Sequence, residues 1–302
     1  MGVLDSIGNT PLVKLETLNT NPRVKVFAKL EGNNPGGSVK DRIAYYMIKD
    51  AEETGRIKKG DTILEATSGN TGIGLAMVGA ALGYKVVLVM PECVSLERRK
   101  ILEAFGAELI LSPGNEGTDG AIKRARKIME ASPDGYFMPN QFDNPANILA
   151  HYETTGREII DQTNGEVDVF VAGMGTTGTL MGAGKRLKEF NRNIRVVGVE
   201  PFLGHKIQGL KNMQESIVPK IFNPAFPDEI IKVNDNDAFA TTRRLALQEG
   251  IFAGMSSGAA VFGALIMAGR IERGTVVVVL PDRGDRYLST ALFTSVCAKC
   301  PP

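Results

Sequence analysis

Lys40 lies in the run Asn33-Asn34-Pro35-Gly36-Gly37-Ser38-Val39-Lys40-Asp41-Arg42, where a tight Pro-Gly-Gly turn leads directly into a helical pattern. Ser38 and Asp41 have the spacing of a capping box, which predicts Ser38 at the N-cap and Lys40 inside the first helical turn. The helix dipole disfavours a cation there. A solvated lysine gains nothing from such a position. A lysine that must lose its proton and attack a carbonyl gains a nucleophilic amine. The competing reading is an ordinary surface lysine, the usual fate of this residue type.

Three other stretches are small, glycine-rich and hydroxyl-rich, as close backbone approach to anionic groups requires. They are Ala66-Thr67-Ser68-Gly69-Asn70-Thr71-Gly72, Gly173-Met174-Gly175-Thr176-Thr177-Gly178-Thr179 and Gly254-Met255-Ser256-Ser257-Gly258. Gly173-x-Gly175-x-x-Gly178 also matches the dinucleotide fingerprint, with Glu200 placed to meet a ribose, so an NAD-dependent oxidoreductase is a rival reading. Against it, the chain has no obvious catalytic histidine, and Thr176, Thr177 and Thr179 suit a terminal phosphate at least as well. Gly254-x-Ser256-x-Gly258 matches a hydrolase nucleophile elbow, but that fold needs a later histidine and none follows Ser256. His151 and His205 are the only histidines and lack metal-ligand spacing. Cys297 and Cys300 would need two more ligands to hold zinc, so they read as part of a polar tail.

The elements that must position these loops alternate along the chain. Strand patterns fall at Val24–Leu30, Thr62–Ala66, Lys85–Met90, Glu108–Leu111, Val167–Ala172, Arg195–Glu200, Ile230–Val233 and Thr275–Leu280. Helical patterns fall at Ser38–Glu53, Thr71–Leu82, Leu96–Phe105, Thr118–Ala131, Gly178–Phe190, Asp235–Gln248 and Ser257–Gly269. The alternation predicts an α/β chain of mostly parallel sheets with helices on both faces, and ligand loops at the carboxyl ends of the strands. A turn cluster at Gln141-Phe142-Asp143-Asn144-Pro145 marks the best boundary between two halves.

The chain's 302 residues are 43% hydrophobic and carry a net charge of +1, which gives no electrostatic case for nucleic acid or an anionic membrane. No apolar run reaches the roughly 18 residues of a membrane span. Met1 to Leu12 lacks a basic region followed by an apolar core, and three cysteines make no disulfide framework, so the expected compartment is the cytoplasm.

Taken as an ordered set, these loops resemble the pyridoxal-phosphate enzymes of the cysteine synthase (O-acetylserine sulfhydrylase) family. Ile7-Gly8-Asn9-Thr10-Pro11-Leu12 belongs to the same set, and the likeness covers nearly the whole chain. Glu31-Gly32-Asn33-Asn34-Pro35 and Asp282-Arg283-Gly284-Asp285-Arg286-Tyr287-Leu288-Ser289-Thr290 look more like the B branch than the A branch. The resemblance implies the two-domain, fold type II (tryptophan synthase β-like) architecture, with the cofactor in the cleft. Its smaller domain would span 39–144 and its larger one 1–38 and 145–302, in a homodimer.

The resemblance also implies roles. Lys40 would hold pyridoxal 5′-phosphate as a Schiff base, and Gly175, Thr176, Thr177, Gly178 and Thr179 would cradle its phosphate. Asn70 would bond the ring 3′-oxygen and Ser256 would face the pyridine nitrogen. Thr67, Ser68, Gly69, Thr71 and Gln141 would grip the carboxylate of an amino-acid substrate. The implied reaction is β-replacement through an aminoacrylate, giving L-cysteine from O-acetyl-L-serine and sulfide. A related enzyme using O-phosphoserine or serine is the alternative. For Arg283 and Arg286 the competing reading is an ordinary surface or ion-pairing role, which at least one is expected to have; one that faced the cleft would draw in an anionic sulfur donor such as thiosulfate, or a phosphorylated serine. At Ser256, a carboxylate would hold the ring nitrogen protonated, whereas a hydroxyl leaves it largely neutral, which suits chemistry at the β-carbon. We therefore expect Ser256→Asp to lower β-replacement turnover with cofactor still bound; unchanged turnover in a steady-state assay would show that Ser256 does not tune the ring.

Overall fold

A computed structural model of the chain describes residues 2–67, 69–215 and 217–293; the expectations for Ser68, Cys297 and Cys300 lie outside them. Strands β1 (Leu12–Lys14), β2 (Val24–Leu30), β6 (Val169–Gly173), β7 (Arg195–Pro201), β8 (Glu229–Val233) and β9 (Gly274–Leu280) form a six-stranded sheet in the order β1-β2-β9-β6-β7-β8. Strands β3 (Thr62–Ala66), β4 (Lys85–Pro91) and β5 (Glu108–Ser112) form a second sheet. Apart from the antiparallel pair β1–β2, the ladders are parallel.

Period-two alternation divides each sheet between two cores. In the larger sheet Val26, Ala28, Val171, Val199, Val276 and Val278 pack under helices α8 (Asp235–Glu249) and α9 (Met255–Arg270). Phe170, Ala172, Val196, Val277 and Val279 face α7 (Gly178–Phe190) on the other side. That double burial explains why Val276 to Leu280 is apolar at every position. In the smaller sheet Ile63, Val86, Leu88 and Met90 face α1 (Lys40–Glu53) and α2 (Asn70–Leu82), while Leu64, Ala66, Val87 and Val89 face α4 (Gly117–Ala131).

Two regions hold elements additional to the sequence expectations. The short strand β1 caps the larger sheet, and residues 145–162 form helix α5 (Pro145–Ala150), a π-helical turn (His151–Thr155) and helix α6 (Gly156–Gln162). Asn144, read from sequence as part of a boundary turn, is the N-cap of α5 and accepts a hydrogen bond from Ala146 N–H, with Pro145 at N1.

A buried ionic cluster fastens the N-terminal segment to the start of α1. Arg42 and Glu31 are fully buried and pair through two bonds, Nε–Oε2 at 2.7 Å and Nη2–Oε1 at 2.8 Å. Arg42 also donates both Nη groups to Glu158 on α6, and Lys29 reaches Glu158 at 2.6 Å. Thr10 Oγ1 donates to Glu31, while Asn9 N–H donates to Glu158. Burial opposes the charge on Glu158, but hydrogen bonds and charge from Arg42 and then Lys29 outweigh it and hold the carboxyl at about 2. An ordinary Glu titrates near 4.5, so the stability Glu158 contributes is complete above that pH and is lost as the pH falls toward 2. We expect Arg42→Ala, which strands Glu31 in the interior, to cost about 3–5 kcal/mol in urea unfolding. A loss below about 1 kcal/mol, the range of an exposed pair, would show that the cluster is not what fastens this segment.

Candidate active site

The carboxyl ends of the strands and the amino ends of the following helices open onto one cleft. Lys40, Thr67, Gly69, Asn70, Thr71, Gln141, Gly175, Thr176, Thr177, Thr179 and Ser256 all line it. Gly178 lies just behind, as the buried first residue of α7. The sequence-predicted set thus converges, apart from Ser68, which lies outside the described residues.

Lys40 is the first residue of α1, and Val39, in helical conformation, precedes it as the cap. The expected capping box is replaced by a different latch. Ser38 Oγ accepts from Lys40 N–H, while the Asp41 carboxylate turns back to accept from Gly36 N–H at 2.6 Å. Gly37 adopts φ +82°, a left-handed conformation, and a Cβ on Gly36 would lie 2.6 Å from Asp41 Oδ1, so both glycines are required. Burial lowers Lys40 to about 8, and the charge of Asp282 opposes the shift. Desolvation, rather than the dipole invoked from sequence, is therefore the leading cause. The Lys40 amine stands 3.4 Å from Thr176 Oγ1.

The Gly175–Thr179 loop combines a strained backbone with closely packed glycine and threonine at the start of α7. Thr177 is held at φ +68°, rare for a β-branched residue, and its Oγ1 is buried with no hydrogen-bond partner among the described residues. A Cβ on Gly175 would lie 2.5 Å from the Gly209 carbonyl oxygen. Thr179 Oγ1 meets Nε2 of the buried His151 at 3.1 Å, and His151 Nδ1 meets Thr155 Oγ1 at 2.9 Å. Burial, then the charges of Lys40 and Arg42, keep that imidazole neutral. An orphaned hydroxyl, a helix N-terminus and an amine within one loop's reach fit the phosphate and aldehyde of pyridoxal phosphate.

Opposite, the Thr67–Thr71 loop opens α2. Thr67 Oγ1 accepts from Gly69 N–H, and Thr71 Oγ1 donates to Gln141 Oε1 at 2.6 Å. Beneath them Glu65 is buried and accepts from the backbone N–H groups of Ala66 and Gln141. Burial pushes its carboxyl up to about 7 against those donors. Ser256 sits in the first turn of α9 on the remaining wall.

The two arginines singled out from sequence do not face the cleft. Arg283 is exposed and pairs with Asp285 at 3.4 Å. Arg286 is buried and donates to Asn70 Oδ1 and to the Gly36 carbonyl, joining the lysine turn to the Asn70 loop from behind. Asn70 Nδ2 in turn donates to Asp282 Oδ2 at 2.6 Å. Besides Lys40, the basic residues that line the cleft among the described residues are Arg98 and Lys211, which sequence spacing did not single out. Lys211 pairs with Asp119 at 3.2 Å and lies over the Phe142 ring. Glu200, the ribose ligand of the dinucleotide reading, accepts from Met213 N–H away from the cleft lining, which removes that reading's second half. Among the described residues no group of three or more His, Cys, Asp or Glu side chains could hold a metal ion, and no helix is long and apolar enough to cross a membrane.

The chain is similar to known proteins in sequence and fold. A cysteine synthase of Staphylococcus aureus is 51% identical over 300 residues, covering 95% of each chain. Cysteine synthase B of Salmonella typhimurium is 49% identical over 288 residues, covering 95% of this chain and 94% of its own. The crystal structure of a cysteine synthase from Entamoeba histolytica superposes with a TM-score of 0.91 at 42% identity, over 97% of this chain and 90% of that one. Residues 3–282 match the family described as pyridoxal-phosphate dependent enzyme, and the chain belongs to that family.

Proposed function

We propose that the protein makes L-cysteine from O-acetyl-L-serine and sulfide by pyridoxal-phosphate-dependent β-replacement, releasing acetate. The observation that carries this reading is the half-buried Lys40, whose amine lies 3.4 Å from the first threonine of the loop that opens α7. The identity to cysteine synthases over nearly the whole chain supports the same reaction.

In this reading Lys40 anchors the cofactor, Gly175, Thr176, Thr177, Gly178 and Thr179 hold its phosphate, Asn70 orients its 3′-oxygen and Ser256 faces its ring nitrogen. Thr67, Ser68, Gly69, Thr71 and Gln141 bind the substrate carboxylate. The cofactor, when bound, supplies a conjugated ring that takes up the electron pair released at the α-carbon. Lys40 removes the α-proton as a neutral amine and returns it once sulfur has added to the β-carbon. Acetate, a good leaving group, needs no acid from the protein. Residues 39–144 act as the smaller, substrate-carboxylate domain, and residues 1–38 and 145–302 as the larger, cofactor-phosphate domain. Support for the division comes from the separate three- and six-stranded sheets. The family likeness supports a homodimer, and the composition a cytoplasmic location.

Borohydride treatment of the purified protein is expected to fix the cofactor to the peptide containing Lys40, and Lys40→Ala to lose at least about a hundredfold in turnover. Capture of pyridoxal phosphate by the apoprotein needs the unprotonated amine, so its rate should rise with pH through a midpoint near the value of about 8 for Lys40. A colourless protein with no borohydride adduct would overturn the reading, and a pH-independent capture rate would overturn the role of the Lys40 amine.

Lys211, 12% exposed at its side chain, gives the cleft a cation that an anionic sulfur donor such as thiosulfate would meet. We expect S-sulfocysteine from thiosulfate with O-acetylserine, reduced in Lys211→Ala and retained in Arg283→Ala. Inert thiosulfate with the intact protein would restrict the enzyme to sulfide. A preference for O-phosphoserine over O-acetylserine in the same assay would reassign the leaving group.

A further inference from the structure

Asn147, on α5, is a fully buried amide that no role described so far uses. Its Nδ2 donates twice: to the Gln141 carbonyl at 2.8 Å and to Thr176 Oγ1 at 3.2 Å. One side chain therefore touches the main chain of a substrate-carboxylate residue and the hydroxyl of a cofactor-phosphate residue. Its orientation is fixed by chemistry, because a carbonyl only accepts and so must face the NH2 end of the amide. The other end, Oδ1, is buried with no hydrogen-bond partner among the described residues. It presses on the start of α7, where a Cβ on Gly178 would lie 1.8 Å from it.

This geometry constrains the Thr176 proton. Thr176 Oγ1 receives one donor from Asn147 Nδ2 and a second from the Lys40 amine at 3.4 Å. A hydroxyl oxygen has two lone pairs and one proton. The Lys40 contact belongs to the free amine, but the Asn147 NH2 only donates, so the Thr176 proton is turned away from it and left to donate into the cleft, the sense an anionic ligand requires. The opposite contact of Asn147 acts on the substrate side. Gln141 is held at its N–H by Glu65 and at its carbonyl by Asn147, and its side chain reaches both Thr71 Oγ1 and the Ala66 carbonyl.

We propose that Asn147 is a positioning residue that couples the two anion sites of the cleft, setting Thr176 as a donor to the cofactor phosphate and fixing Gln141 against the substrate carboxylate. The inference rests on the pyridoxal-phosphate reading of the cleft and adds to it a residue touching neither ligand. Asn147→Asp tests it with little change of shape. A carboxylate cannot donate to the Gln141 carbonyl, and it demands the Thr176 proton for itself.

Two constants are to be measured: the dissociation constant of pyridoxal phosphate from the apoprotein, by fluorescence titration, and KM for O-acetylserine in the loaded enzyme. Both should rise by about tenfold or more in Asn147→Asp, the effect of losing a hydrogen bond to a charged group, with kcat changing less. Thr176→Val, which leaves Asn147 intact, should weaken cofactor binding by a similar factor and move KM much less. Adding Thr176→Val to Asn147→Asp should then cost less than it does alone, because the hydroxyl has already lost its donor role. A shift in only one constant, or additive losses in the double variant, overturns the coupling. A lowered unfolding midpoint with both constants unchanged assigns Asn147 to packing alone and overturns it too. If Asn147→Asp does not fold, Thr176→Val decides alone, an unchanged cofactor affinity counting against the proposal. Failure of the unmodified protein to bind pyridoxal phosphate would instead overturn the cofactor reading beneath it.

Discussion

Everything in the cleft depends on removing one amine from water. Burial lowers Lys40 to about 8 because an ammonium in a poorly solvated site loses most of its hydration. Such a site must be fastened on every side, and the residues immediately after the lysine begin that work. Asp41 folds back to bond Gly36 N–H, and Arg42 runs away from the cleft into the Glu31–Glu158 cluster. Three consecutive side chains on one helical turn thus point to three jobs: chemistry, latch and anchor. Arg286 completes the enclosure from a distance by taking the Gly36 carbonyl and the Asn70 amide together.

The parallel architecture supplies the complementary half. Helices α1, α2, α7 and α9 each begin at the cleft, so their unpaired N–H groups and positive dipole ends gather where anions must be held. Small residues at these starts are a consequence of that convergence. Four helix ends cannot approach one ligand if each carries a bulky side chain, which is why glycine, serine, threonine and asparagine dominate the loops.

Much of this was legible in the sequence, because it is local. Strand and helix positions follow from periodicity, and the ligand loops follow from their place at strand ends. The failures have physical causes. Residues 145–162 were missed because a π-helical turn at His151–Thr155 inserts an extra residue and breaks the 3.6-residue pattern, while Asn144-Pro145, a sound helix start, also spells a turn. Strand β1 has only three residues, too few to show alternation. The capping box failed because Asp41 found Gly36 N–H in the tight turn, a partner that spacing alone cannot foresee. Arg286 reaches Gly36 across 250 positions, and no local pattern encodes that contact.

The wall formed by Gly173–Thr179 carries hydroxyls and backbone amides in place of basic side chains. Between Gly173 and Thr179 there is no lysine or arginine. A fixed cation beside Lys40 would push its amine further down, and would need a buried counter-ion of its own. Neutral donors can hold an anion without placing a further cation beside Lys40. The surrounding buried groups follow the same economy: burial lifts Asp41 and Glu65 to about 7 and keeps His151 neutral. What remains as the dominant charge acting on the lysine is Asp282, the same carboxylate that accepts from Asn70 and from the Tyr287 hydroxyl. A Gly173–Thr179 wall without charged side chains, facing one poised amine, is a condition under which a proton can be taken from carbon and returned to it without reorganising that wall.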